Sequence, residues 1–168
     1  MLVLTAEVLR LVSAHAEEAY PHECCGLLLG PAGAPRWRAT RTHRARNLDT
    51  VRAQDRYQMD PADRLAAEAT ARAADLAVVG FYHSHPDHEA YFSQTDLERS
   101  EERQWGEPWL PATYAYLVVS VREGAAGARR AFVVDGGATR ELEVEVEVEV
   151  EVEVDGRGEG RGEEDASS

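Results

Sequence analysis

The sequence predicts an α/β fold, a mixed sheet flanked by helices. Three observations predict it. Segments with helical and strand periods alternate through the first half of the chain, and strands dominate the second half. Two short apolar runs, Cys25–Gly30 and Leu76–Tyr82, have the length of strands buried on both faces. The 168 residues, 43% of them hydrophobic, suffice for one domain around one core.

The elements follow in order. Thr5 to about Ala19 reads as a helix: Thr5 can cap it, Val8, Leu11 and Val12 share a face, and Pro21 stops it. Cys25–Gly30 is the first buried strand and Pro31–Pro35 a turn. Arg36–Thr42 alternates enough for a strand with Trp37 on one face. Asn47–Asp55 is a polar loop and Arg56–Met59 a short strand. Asp60-Pro61 opens a second helix, with aspartate as N-cap and proline in the first helical position, running to about Ala74. Leu76–Tyr82 then delivers the chain to His83. Pro86–Phe92 is a loop, and Ser93 begins a third helix ending near Trp105. Thr113–Val121 and Ala131–Val134 read as strands joined by a Gly-containing turn.

The C-terminal stretch is of low complexity. Glu143–Val154 repeats Glu-Val six times, a strand period with valine on one face and glutamate on the other. Its first part is expected to extend a sheet edge, because the whole run is about twice a usual strand. The remainder, ending DGRGEGRGEEDASS, is expected to be disordered. The expected organisation is thus a folded domain over 1–140 and an acidic tail over 141–168.

Charge follows the same division. Of the formal −13, a net −10 lies from Glu141 onward (12 acids, two arginines), leaving −3 on the first 140 residues. A nearly balanced domain argues against a nucleic-acid partner. No run is long and apolar enough to span a bilayer, and the N-terminus lacks a basic start before an apolar stretch, so neither membrane nor signal peptide is read and the cytoplasm is expected. The two cysteines, Cys24 and Cys25, are adjacent, which supports neither a disulfide framework nor a cysteine zinc site. Both read as buried hydrophobes.

The informative stretch is Gly80-Phe81-Tyr82-His83-Ser84-His85-Pro86, followed by Ser93-Gln94-Thr95-Asp96. Residues i and i+2 of a strand face the same way, so His83 and His85 present two imidazoles to one side. Asp96, after a gap of ten residues from His85 and in the first turn of a helix, can fold back with a carboxylate. Two histidines and a carboxylate leave the fourth zinc position open, the catalytic arrangement. Residues 83–88 also match HxHxDH, but no histidine follows His88 to complete a metallo-β-lactamase or polymerase-and-histidinol-phosphatase-like site. HExxH fails because position 26 is Gly26, and the PCxxC of zinc deaminases is absent. The plainer readings are two hydrogen-bonded histidines, an exposed Glu23, a solvent-facing His88 and a Ser93/Asp96 capping box. Capping competes with metal binding, since Asp96 is not expected to commit the same oxygens twice. Trp105, Trp109 and Tyr114 read as packing residues.

Glu23, His83-Ser84-His85-Pro86 and Ser93-x-x-Asp96 together resemble the JAMM (MPN+, JAB-domain) metallopeptidases, over roughly Leu4 to Asp135. Glu23–Gly30 (ECCGLLLG) and Asp60-Pro61 resemble the small bacterial branch of that family. The resemblance implies a JAB/MPN fold of cytidine-deaminase-like layering, with 1–140 as the catalytic domain. It implies one zinc ion per chain held by His83, His85 and Asp96. Glu23 would move the proton, and Ser93 would donate to the oxyanion. The implied partner and substrate is a ubiquitin-like sulfur-carrier protein, hydrolysed at a C-terminal amide or isopeptide bond by attack of zinc-bound water. The alternatives are a non-catalytic scaffold of the same fold and a metal-dependent amidase acting on a small molecule. Retention of every residue the chemistry requires argues against the scaffold.

Overall fold

The computed structural model describes residues 1–32, 36–104 and 112–148. Strand β1 (Leu2–Thr5) leads into helix α1 (Ala6–Ala19), followed by β2 (Cys25–Gly30), β3 (Trp37–Ala39) and β4 (Arg41–Ala45). Helix α2 (Pro61–Ala73), β5 (Ala77–Pro86) and two short helices, α3 (Gln94–Arg99) and α4 (Glu101–Gln104), come next. The chain then forms β6 (Ala115–Arg122), β7 (Ala125–Asp135), β8 (Ala138–Leu142) and β9 (Val144–Glu147). Six strands build a mixed sheet in the order β4-β2-β5-β6-β7-β8, in which only β5 and β6 run parallel. The other three form a small parallel sheet, β3-β1-β9.

Helices cover both faces of the large sheet. Val8, Val12 and Ala16 of α1 pack with Leu28, Tyr82, Leu117 and Val119 on one side, together with Leu2 and Leu4 of the small sheet. Ala67 and Ala71 of α2 pack with Leu27, Leu29, Phe81 and Tyr116 on the other. This explains the unbroken apolar run of β2: successive side chains point to opposite faces, and both faces are dry. Gly26 is required by the same packing, because a Cβ there would lie 2.3 Å from the buried Tyr82 ring.

The two long helices begin as expected. Thr5 Oγ1 accepts from Val8 N–H at 3.2 Å, and Asp60 Oδ1 accepts from Ala62 N–H at 2.8 Å with Pro61 in the first turn. Other expectations are corrected. Arg36–Thr42 is two strands in different sheets, divided at Thr40, whose N–H turns to Leu29 O. Arg56–Met59 contributes only an isolated bridge from Met59 to Asn47. The helix opened by Ser93 breaks at Ser100, where the backbone is extended and the hydroxyl donates back to Leu97 O. Its expected end at Trp105 lies outside the described residues, as do Trp109, part of the Pro31–Pro35 turn and residues 149–168. The position 140/141 falls inside β8, and buried Leu142 belongs to the main core. Among the described residues, no helix is long and apolar enough to cross a membrane.

Candidate metal centre

The register of β2 against β5 assembles the site. Cys25 pairs with His83, and the pairing continues one step further: Ser84 N–H donates to Cys24 O at 3.2 Å, while Cys24 N–H donates to Ser84 Oγ at 2.9 Å. Glu23 is thereby set across from His85. Alternation along β5 sends Tyr82 to the α1 side, where its hydroxyl lies 2.8 Å from His15 Nδ1, and sends His83 and His85 together to the opposite face.

Asp96 arrives from α3. Ser93 Oγ accepts from Asp96 N–H at 3.0 Å, and Asp96 Oδ2 accepts from Ser93 N–H at 2.8 Å, closing a capping box. The same Oδ2 lies 3.2 Å from His83 Nε2 and 3.5 Å from His85 Nε2. Capping and metal binding would thus share one oxygen, Oδ2, whose geometry allows both. One carboxylate oxygen has two lone pairs, and the backbone N–H that occupies one of them aims the other at the histidines.

The two Nε2 atoms are 3.1 Å apart. Three separations of 3.1, 3.2 and 3.5 Å match the edges of a tetrahedron with bonds of about 2.0–2.1 Å, whose edge is about 3.3 Å. The donor chemistry also fits: two imidazole nitrogens and one carboxylate oxygen, with side chains 1%, 6% and 9% exposed, can hold a borderline divalent cation. His85 Nδ1 lies 2.8 Å from Glu89 O, which can accept from Nδ1–H, the tautomer that would turn the Nε2 lone pair towards a bound cation. Ser120 Oγ donates to His88 O at 2.5 Å and steadies the same loop. The His88 side chain faces solvent, as expected.

The electrostatics are those of a dry, charged pocket. Burial alone would strip the proton from His83, but Asp96 outweighs it and raises the pKa. Burial would likewise raise Asp96, but His83 and the hydrogen bonds from both histidines and Ser93 N–H hold it far below the ordinary range. Glu23 is 6% exposed, and its Oε1 stands 4.0 Å from His85 Nε2. Burial pushes its pKa up to about 7, partly offset by the two imidazoles and reinforced by Asp96 and Asp55. Cys24 is pushed up to about 11 by burial, so its thiol stays protonated and is no nucleophile.

Four neighbours of the site escaped the sequence reading. Ser84 locks the β2–β5 end; its place between two histidines in a buried run was a readable signal. Tyr57 stacks on His83 at 4.8 Å, and Tyr91 meets His85 edge-on at 4.9 Å. Asn47 has the largest reach: Nδ2 donates to Glu23 O at 3.2 Å and Arg56 O at 3.1 Å, while Oδ1 accepts from Asp49 and Gln58 N–H, both at 3.0 Å. No periodicity marks an asparagine in a polar loop.

Residues 5–134 match the family described as prokaryotic homologs of the JAB domain. The chain belongs to this family. The JAB assignment agrees with the layered mixed sheet. The chain is 32% identical over 142 residues to the CysO-cysteine peptidase of Mycobacterium tuberculosis, covering 84% of this chain and 88% of that one. It is 33% identical over 125 residues to the desampylase of Haloferax volcanii, covering 71% and 80%. Among solved structures, a protein of Desulfitobacterium hafniense matches with a TM-score of 0.73 and 27% identity, covering 90% of this chain and 96% of that one. A JAB1/MPN domain protein from Archaeoglobus fulgidus matches with a TM-score of 0.51 at 17% identity, covering 85% and 96%, which speaks to the fold alone.

Proposed function

We propose that this JAB-family chain is a zinc-dependent peptidase that hydrolyses an amide bond at the C-terminus of a ubiquitin-like sulfur-carrier protein. His83, His85 and Asp96 hold the metal, Glu23 is the proton carrier and Ser93 the oxyanion donor. The observation that carries the reading is the convergence of three ligand-type atoms at tetrahedral spacing beside a buried carboxylate. The names of the peptidase and desampylase relatives support the substrate class.

A zinc ion in this triad supplies an acidified water and a polarised carbonyl. Glu23 takes the proton of the attacking water and returns it to the leaving amine as the C–N bond breaks. Its burial suits both tasks, because a carboxyl raised towards neutrality gives up a proton as readily as it accepts one. Ser93 Oγ accepts from Asp96 N–H, which leaves the hydroxyl proton to be donated to the oxygen that gains charge. Tyr57 and Tyr91 wall the rings and hold them in place.

The test is to assay the zinc-loaded chain, with and without chelator, on a sulfur carrier ending in Gly-Gly-Cys. Cleavage that stops on chelation and returns with zinc is expected. Glu23→Gln should retain zinc and lose turnover by about 10²–10⁴-fold. Normal cleavage by Glu23→Gln removes the proton-carrier assignment.

A further inference from the structure

We propose that Arg56 receives the free α-carboxylate of the residue being released, which makes the enzyme one that trims a C-terminal amino acid rather than one that opens isopeptide bonds. The inference rests on the peptidase reading above.

The cleft lined by Glu23, His85 and Asp96 has a volume of about 250 Å³ and carries three arginines: Arg52, Arg56 and Arg99. Two are engaged. Arg52 pairs with both oxygens of Asp55, its Nε at 3.0 Å from Oδ1. Arg99 donates to Tyr57 O at 2.9 Å. Arg56 is half-buried, and among the described residues no carboxylate stands within 4.0 Å of its guanidinium. It is near enough to lower the pKa of Asp55, but Arg52 already occupies both Asp55 oxygens. A partly dehydrated guanidinium in a cleft seeks a planar anion, and its fork matches a carboxylate in two parallel hydrogen bonds.

Its placement names the anion. Glu23 returns the proton to the leaving amine, so the departing group lies on the Glu23 side of the cleft. The loop bearing Arg56 is the wall on that side: Glu23 N–H donates to Ala53 O at 2.6 Å, and Asn47 Nδ2 bridges the carbonyls of Glu23 and Arg56. One asparagine thus ties the main chain of the proton carrier to that of the arginine. In a released α-amino acid, the carboxyl carbon is about 2.5 Å from the amine nitrogen. In an isopeptide product the amine ends a lysine side chain, and no carboxylate stands near it. An arginine waiting beside the leaving amine therefore suits the first product and is left unsatisfied by the second.

The experiment uses the zinc-loaded full chain and one sulfur carrier in two forms, ending in Gly-Gly-Cys with a free carboxylate or with a C-terminal amide. The native chain should favour the acid in kcat/KM by about 10- to 100-fold, the value of one charge-assisted bidentate contact. Arg56→Gln should bring the ratio to about 1, and Arg56→Lys, which keeps charge without the fork, should fall between. Binding of the uncleaved carriers to Glu23→Gln, followed by calorimetry, should show the same preference, and it should vanish in the Glu23→Gln, Arg56→Gln double variant. Equal rates for acid and amide in the native chain, or a ratio unchanged by Arg56→Gln, overturn the assignment while leaving the peptidase standing. Cleavage of neither carrier overturns both.

Discussion

Two sets of opposite charges sit on neighbouring strands and are built in contrary ways. Just before β2, and on β5 and α3, Glu23, His83, His85 and Asp96 are each less than a tenth exposed. Across the small sheet, Arg36 reaches Glu145 at 3.9 Å and Arg38 grips Glu147 at 2.6 Å, with all four side chains between 38% and 65% exposed. Water screens the outer set, so each pair adds about 0–1 kcal/mol, and its main effect is to cover Val3 between the flanking strands. The inner set is dehydrated, and each charge must be matched by a neighbour or give up its charged form. Glu23 is raised to about 7 while Asp96 is held low, a divergence that the proposed division between proton carrier and metal ligand requires.

That contrast can be broken at either end. The largest effect is expected from His85→Ala, which removes one corner of the triad: metal analysis should find no stoichiometric zinc, and turnover should fall to background. Stoichiometric zinc in this variant would mean that the ion sits elsewhere. Acidification should act on the same residues more gently. Asp96 raises the pKa of His83, so protons compete with the metal as pH falls. Apparent zinc affinity, titrated against a competing chelator at pH 6, 7 and 8, should drop by roughly tenfold per unit for each proton displaced. A flat profile would show that His83 is not a ligand.

The outer set should respond weakly. Removing residues 143–168 takes away β9 and the partly buried Val144, and should cost about 1–3 kcal/mol in denaturant unfolding. Removing only 149–168 should leave the midpoint unchanged; equal losses from both truncations would place the stabilising contacts beyond Glu147. The smallest effect belongs to Arg38→Gln, at most about 1 kcal/mol and fading with added salt. A larger, salt-independent loss would mark that pair as structural in the manner of the buried set.

What was legible in the sequence was what local chemistry dictates. The caps at Thr5, Asp60 and Ser93, the buried run of β2 and the two-residue spacing of His83 and His85 each depend on neighbours within one turn or one strand. The triad could be read because a strand and a capping box fix its directions. The small sheet was not legible: β1 and β9 pair as parallel strands from opposite ends of the described chain, and nothing in Leu2–Thr5 announces a partner at Val144. The double use of Asp96 Oδ2 and the four bonds of Asn47 escaped for a related reason, since both depend on where distant backbone groups come to rest.

The pairing of β9 with β1 has a consequence of its own. A two-letter pattern superimposes on itself when moved by two, so Glu-Val can lie beside β1 in several equivalent alignments, each with valine inward and glutamate towards Arg36 and Arg38. The repeat therefore carries no address. The address is supplied upstream, where Leu142 is fastened in the core and Glu143 O takes the Leu2 N–H at 2.8 Å, leaving no slack for the next notch. The zipper is set by its stop rather than by its teeth.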